Sequence, residues 1–346
     1  MQVGIHKTFF KGYTPYIRRF EAILDHNGID HVRLESDDID FWDRAAALDL
    51  FIFWWRHDNG DQVIAKTILP ILECEMNKIC LPNLRTWWSF DDKIKQYFLL
   101  RFHGFPMAQS WIFWDKEKAL SWLASAELPV VFKLSGGAGS ENVILIKSVS
   151  LGTKLIFRMF ASGVHSTKLP WGTVRWKDFN LARDVRHWGA TLIRKARGTP
   201  LPALELHKNY VLFQKFLPNN KYDTRVTILG DRAFAFRRLN RSDDFRSSGS
   251  GRIVYDTQSI DKRFIEIGFA ISEKLKFQTM AYDFLYEENG QPAVCEISYA
   301  FVDTAVFNCP GYWDRNLIWH EGHYWPQYCQ LVDALKLPDL KQPEMS

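Results

Sequence analysis

The sequence predicts an α/β (α+β) protein that opens with a β/α lobe and carries an antiparallel hairpin in its C-terminal part. Strand-like apolar runs alternate with helical stretches over residues 1–88, the pattern of parallel strands joined by helices. Residues 280–298 read as strand, turn, strand, with Asn289-Gly290 as the hairpin signal. A chain of 346 residues, 47% of them hydrophobic, is long enough for two or three lobes with a sizeable core and is not disordered.

The N-terminal lobe is read from strands at 48–55 and 78–81 and helices at 16–27 and 62–76, with Gly28 as the C-cap of the first helix. Asp91 and Asp92 lead a helix running to Phe102, and an acidic start suits the helix dipole. A buried-looking strand at 130–134 carries Lys133 near its end and continues into Ser135-Gly136-Gly137-Ala138-Gly139-Ser140. A lysine in an apolar strand is costly unless it meets an anion. Glycines let backbone N–H groups approach phosphates, although the run lacks the Gly-Lys-Ser/Thr ending of a P-loop and a plain hairpin turn is the other reading. Residues 150–207 contain a helical stretch at 178–197 and a Gly-Thr-Pro-Leu-Pro linker, and no role is assigned to them.

Charged groups then gather between residues 211 and 298. Gln214-Lys215-Phe216-Leu217 precedes Asp223-x-Arg225, a basic Gly/Ser-rich run holds Arg237, Arg238, Arg241, Arg246 and Arg252, and Asp283 is followed by Glu296-Ile297-Ser298. Asp283 and Glu296 are equidistant from the Asn-Gly turn, so a hairpin sets them across from one another. Facing carboxylates on an apolar hairpin repel unless a cation lies between them; a different register would leave them solvated on opposite faces. Adjacent Arg237 and Arg238 point to opposite sides of a strand, so only one faces the site.

The net charge of +4 and the absence of a continuous basic block do not support nucleic-acid binding. The arginine cluster suits a small polyanion, or else forms a solvated basic face. Five cysteines, an odd number without CxxC spacing, argue against a disulfide framework or a zinc site and for a reducing cytoplasm. No apolar run approaches the length of about 18 residues that spans a membrane, and no leader pattern is present, so a soluble, unprocessed protein is expected. His320-Glu321-Gly322-His323 lacks HExxH spacing and is read as helix entry. Arg56, after Trp54-Trp55, is a candidate for a substrate carboxylate or an incoming amino acid, or a surface residue without a ligand. Fourteen tryptophans could stack on sugar rings, but core packing is the favoured reading for any one of them.

Taken in order, Asp92-Lys93, Lys133 with its glycine-rich loop, Gln214 to Leu217, Asp223-x-Arg225, the run at 244–248, and Asp283 with Glu296-x-Ser298 resemble the ATP-grasp superfamily. The likeness is greatest to its ribosomal-protein glutamate ligase and glutathione synthetase branch, and covers about residues 90–300. The resemblance implies an ATP-grasp fold with an N-terminal β/α lobe at 1–88, a central subdomain with the lid loop at 89–207, a C-terminal antiparallel-sheet subdomain with the metal site at 208–335, and a tail at 336–346. It implies ATP and Mg2+ as cofactors. Lys93 and Lys133 would hold the α- and β-phosphates under the loop of Gly136 and Gly137. Gln214, Lys215, Phe216 and Leu217 would read the adenine, with Asp223 near the ribose or a substrate group. Arg225, Arg237 or Arg238, and Arg246 would neutralise transferring phosphoryl oxygens. Asp283, Glu296 and Ser298 would hold magnesium, with serine standing where the family usually has asparagine.

The implied activity is an ATP-dependent carboxylate–amine ligase that works through an acyl-phosphate and releases ADP and phosphate. Its partners would be ATP, a small-molecule or glycan carboxylate, and an amine. The segment 311–326 is similar to tails of ATP-grasp proteins from polysaccharide loci. Two alternatives stay open: a non-catalytic nucleotide- or saccharide-binding protein on the same scaffold, with Ser298 marking the loss, and a small-molecule kinase. The sequence does not define the oligomeric state.

Overall fold

The computed structural model describes residues 1–8, 11–55, 59–137, 143–165, 205–241, 244–247 and 249–345. The expected helix at 178–197 and Arg56 lie outside the described residues. The chain forms two compact units, one of Met1–Ala108 with Leu217–Ser346 and one of Gln109–Phe216. The expected lobes 1–88 and 208–335 thus fall largely in one unit, and 89–207 is divided at Ala108. One cause is local: Ala108 N–H donates to Val294 O and Val294 N–H to Pro106 O, both at 2.9 Å, tying residues 106–108 to the C-terminal sheet.

In the larger unit, β1 (Gln2–Ile5), β2 (Asp30–Arg33), β3 (Leu50–Ile52) and β4 (Ile79–Leu81) form a parallel sheet of order β2-β1-β3-β4. The connecting helices are α1 (Pro15–His26), α2 (Phe41–Ala46) and α3 (Asn59–Pro70). Val3, Ile5, Leu50 and Ile52 are wholly buried, as central strands of a parallel sheet require. Thr14 caps α1 by accepting from Ile17 N–H, with Pro15 at the first helical position. Gly28 (φ +63°) ends it. After the short α4 (Leu84–Trp87), α5 (Lys93–Phe102) starts on Asp92, whose carboxylate accepts from Ile94 and Lys95 N–H at 3.1 Å.

The smaller unit holds an antiparallel sheet of order β5-β10-β6-β7, from β5 (Ser110–Phe113), β6 (Val130–Lys133), β7 (Val143–Ile146) and β10 (Val211–Lys215). Between them come α6 (Lys116–Ser125), α7 (Val149–Phe160) and the paired β8 (Val164–His165) and β9 (Leu206–His207). Trp122 of α6 stacks on Phe213 and meets Trp111, which covers one sheet face. Alternation sets Lys133, Leu212, Gln214 and Ser110 on the other.

The C-terminal sheet of the larger unit runs β15-β14-β11-β12-β16-β17, with β13 (Ile253–Val254) on β12. Its strands are β11 (Tyr222–Leu229), β12 (Arg232–Leu239), β14 (Thr279–Tyr286), β15 (Pro292–Ser298), β16 (Gly311–Trp313) and β17 (Trp319–Glu321). Helix α8 (Lys262–Leu275) covers the face of Tyr282 and Phe284: Phe264 stacks on Phe284, and Ser272 and Tyr282 share a hydroxyl hydrogen bond of 2.6 Å. Two further helices follow, α9 (Asp303–Phe307) and α10 (Pro326–Leu335). None of the described helices is long and apolar enough to cross a membrane.

Two local expectations are corrected. The β14–β15 connection is not a two-residue turn: Tyr286 pairs with Pro292, and Glu287 N–H donates to Gln291 O, so residues 287–291 form the loop. His320 and Glu321 lie in β17 rather than at a helix entry. His320 stacks on Tyr312 and its Nε2 lies 3.0 Å from Asp314 Oδ2.

The β16–β17 pair depends on a close backbone approach at Gly311, where a Cβ would lie 2.2 Å from His320 O and 2.5 Å from Trp319 Cζ2. Gly311→Ala is expected to lower stability by about 1–3 kcal/mol in urea unfolding, and an unchanged midpoint would contradict this packing.

Candidate functional site

The second face of the C-terminal sheet carries a row of charges. Residues directly opposite one another across antiparallel strands share a face. Asp223 lies opposite Arg238, Arg225 opposite Asp283, and Asp283 opposite Glu296, so the row crosses β12, β11, β14 and β15. A bulge makes the last pairing. Phe284 pairs with Val294, which in a regular ladder would put Cys295 opposite Asp283, but the register shifts between Asp283 and Phe284 and brings Glu296 there. Bulges re-aim side chains in this way.

The guanidinium of Arg225 grips Asp283 with both forks, Nε to Oδ1 at 2.7 Å and Nη2 to Oδ2 at 2.8 Å. Arg238 grips Asp223 likewise at 2.7 and 2.6 Å, and its Nη2 is also 2.7 Å from Asp283 Oδ2. Lys93, at the start of α5, places Nζ 3.1 Å from Glu296 Oε1. Gln96 on the same helix accepts from Ile297 N–H at 3.3 Å, which registers α5 against β15. Lys93, Arg225 and Arg238 thus meet Asp223, Asp283 and Glu296, three cations against three carboxylates, with formal charges that cancel.

Burial governs the acidity here. It pushes the Asp283 carboxyl up, but Arg225 and Arg238 together outweigh it and hold Asp283 well below the usual carboxylate range. For Asp223, burial wins over Arg238, with Asp283 adding to it, and the carboxyl lies above its ordinary value. Burial works against the Arg238 charge, yet Asp283 and Asp223 raise its pKa further. Such pairs are retained only with close geometry, because desolvating each ion costs several kcal/mol.

Other expected residues fall elsewhere. Arg237 points to the opposite sheet face from Arg238, donates to Ser259 O, and lies 4.4 Å over the Tyr222 ring; of the two candidates, Arg238 is on the charged face. Asp223, expected near a ribose, is engaged with Arg238. Arg246 forks onto Asp244, two residues away, at 2.6–3.0 Å. In the smaller unit Lys133 and Gln214 are buried. Gln214 turns its amide into the sheet, donating to Ser110 Oγ at 3.2 Å, and Lys215 N–H donates to Gln109 O. Gly136 and Gly137 follow β6, and Gly137 takes φ +102°. Phe216 ends this unit, whereas Leu217 begins the return to the larger one and packs with Ala108, Ala293 and Leu285.

The oxygen donors suit magnesium, a hard cation. Ser298 is two residues beyond Glu296 in β15, on the same face, and donates to Ala300 O at 3.1 Å, which leaves its lone pairs. Glu296 is partly exposed. Both oxygens of Asp283 accept from arginine, Oδ1 once and Oδ2 twice, so a cation there would compete with two guanidinium groups. Among the described residues no group of three or more His, Cys, Asp or Glu is arranged to hold an ion.

This is the ATP-grasp fold. An ATP-grasp RimK domain protein from Sphaerobacter thermophilus is similar over 88% of this chain and 93% of its own, with TM-score 0.53 and 12% identity. An N5-carboxyaminoimidazole ribonucleotide synthetase from Thermotoga maritima matches 99% of this chain and 78% of its own, with TM-score 0.58 and 12% identity. The ATP-grasp ligase PsnB, complexed with a minimal precursor, Mg and ADP, matches 89% of this chain and 92% of its own, with TM-score 0.53 and 12% identity. No protein-family profile and no curated protein matches the sequence.

Asp283→Asn leaves the buried Arg238 and the partly buried Arg225 short of an anion and is expected to destabilise the protein by about 3 kcal/mol at neutral pH. Because the folded-state pKa is depressed, the contribution is complete above the unfolded value of about 3.9 and is lost as pH falls through the folded value. Urea unfolding should therefore show a wild-type advantage that is constant from about pH 7 to 5 and shrinks below about pH 4. An advantage that grows on acidification would contradict the pairing.

Proposed function

We propose that the protein is an ATP-dependent carboxylate–amine ligase, and the observation that carries this reading is the neutral row of three cations and three carboxylates on an ATP-grasp sheet. Such a row is suited to exchanging partners with a metal–polyphosphate. Lys93, Arg225 and Arg238 take phosphate oxygens, for which a planar arginine fork is well matched. Asp283, Glu296 and Ser298 take Mg2+, which supplies charge neutralisation to the phosphates. Lys133, Gly136 and Gly137 are proposed as phosphate contacts and Gln214, Lys215, Phe216 and Leu217 as adenine contacts. The side-chain amide of Gln214 donates to Ser110 Oγ, and the backbone groups are proposed as the readers at that position.

In the reaction a substrate carboxylate oxygen attacks the γ-phosphorus and ADP leaves. The amine then attacks the acyl carbon, expelling phosphate and losing a proton to give the amide. Arg225 and Arg238 stabilise charge on the transferring oxygens, and no nucleophilic side chain is needed. The ligand names of PsnB, with Mg and ADP, support ATP and Mg2+ as cofactors. The acid is proposed to be a small-molecule or glycan carboxylate, with a cytoplasmic setting and a role in polysaccharide biosynthesis as part of the same proposal.

Calorimetric titration of ATP with Mg2+ is expected to show binding to wild type that Glu296→Gln weakens at least about tenfold, while Ser298→Asn keeps or raises metal affinity. In a screen of acid and amine pairs, ADP should appear only when both are present, and Arg225→Met should lower turnover about 10²–10³-fold. A stable phosphorylated product from the acid alone would replace the ligase with a kinase, and wild type that binds no ATP would overturn the reading.

A further inference from the structure

Just past Lys133 the chain of the smaller unit turns through Ser135, Gly136 and Gly137, and two side chains absent from the expected site, Tyr210 and His207, sit against that turn. Ser135 N–H donates to Tyr210 Oη at 2.8 Å. The phenol lies 3.1 Å from Ser135 Oγ and 2.9 Å from His207 Nδ1, and His207 Nε2 is 3.7 Å from Glu205 Oε2. His207 is 3% exposed and Tyr210 9%.

The platform under the turn is itself fixed. His207 pairs with Val164, and His165 with Leu206. Gly163, at φ +76°, allows this approach, since a Cβ there would lie 2.8 Å from His207 O.

The protons can be placed by counting donors. Glu205 beside Nε2 favours a proton on that nitrogen, which leaves Nδ1 as an acceptor. Tyr210 then gives its single proton to His207 and accepts from Ser135 N–H, with the Ser135 hydroxyl 3.1 Å away as a second donor. A chain of bonds therefore runs from Ser135 N–H to Tyr210 to His207, and Ser135 Oγ, 3.1 Å from the phenol oxygen and 3.4 Å from His207 Nδ1, closes a triangle with them.

We propose that Tyr210 and His207 are positioning residues for the glycine-rich turn, fixing the direction in which Ser135, Gly136 and Gly137 leave β6 and so presenting that backbone to the phosphates of a nucleotide. The inference rests on the nucleotide-binding reading above. Without the phenol oxygen, Ser135 N–H loses its acceptor, the turn populates other conformations, and a phosphate-bearing ligand binds only the fraction that remains in place.

The test compares ADP with adenosine, which has the same base and sugar but no phosphate, by calorimetry or competition on the full chain. Tyr210→Phe is expected to weaken ADP about tenfold and adenosine less than about twofold, with the melting temperature near that of wild type. His207→Asn, which keeps an acceptor near the Nδ1 position, should retain most of the ADP affinity, whereas His207→Leu should lose it as Tyr210→Phe does. This pair decides the matter if Tyr210→Phe does not fold. ADP affinity unchanged in Tyr210→Phe and His207→Leu, or equal losses for ADP and adenosine, would overturn the positioning role while leaving the nucleotide site intact. Wild type that binds neither ligand would overturn the nucleotide reading and this inference with it.

Discussion

Arg238 is held between Asp223 and Asp283, and Asp283 between Arg238 and Arg225; the C-terminal sheet is arranged around that buried chain of charge. A guanidinium or carboxylate removed from water without its partner is costly enough to unfold a marginal domain. The pairing therefore demands that β11 stand between β12 and β14 in the observed register. A slip of one residue would carry the charges to the face that α8 fills with Phe264 and Ser272, because a strand's side chains alternate faces. The constraint that keeps the register is also what concentrates charge on one face.

Electroneutrality has a chemical consequence under the proposed function. A dication alone would approach Asp283 against two guanidinium groups already bonded to it. A polyphosphate alone would approach Arg225 and Arg238 against the carboxylates they hold. Together the two ligands exchange partners with the row, arginines and Lys93 turning to phosphate, and Asp283 and Glu296 to metal. Each ligand thus removes the obstacle to the other, which is a positive coupling between their affinities.

Much of this was legible in the sequence, though not always for the right reason. The parallel N-terminal sheet follows from alternating apolar runs, and the start of α5 from the acidic pair Asp91-Asp92; that Asp92 caps it is visible only in the structure. The placement of Asp283 opposite Glu296 was anticipated by symmetric counting about Asn289-Gly290. The structure reaches it through a longer loop and a compensating bulge at Cys295, two irregularities that cancel and that no residue pattern announces. Adjacent Arg237 and Arg238 were known to face opposite sides, but which side carried the site needed the register of β12 with β11. Ion-pair partners were hidden because Asp283 is far from Arg225 and Arg238 in sequence and meets them only across strands. Tyr210 and His207 escaped notice for a similar reason. A tyrosine before an apolar strand has many ordinary uses, and only the fold brings it under the glycine-rich turn.

The most direct measurement is electron paramagnetic resonance of Mn2+, a magnetic substitute for Mg2+, titrated into the protein with and without ADP. The account predicts no tight Mn2+ site on the nucleotide-free protein, because arginine and lysine occupy the carboxylates, and a protein-bound Mn2+ signal distinct from free Mn–ADP once the nucleotide is present. A tight site at Asp283 and Glu296 in the absence of nucleotide, or no protein-bound signal in its presence, would contradict it.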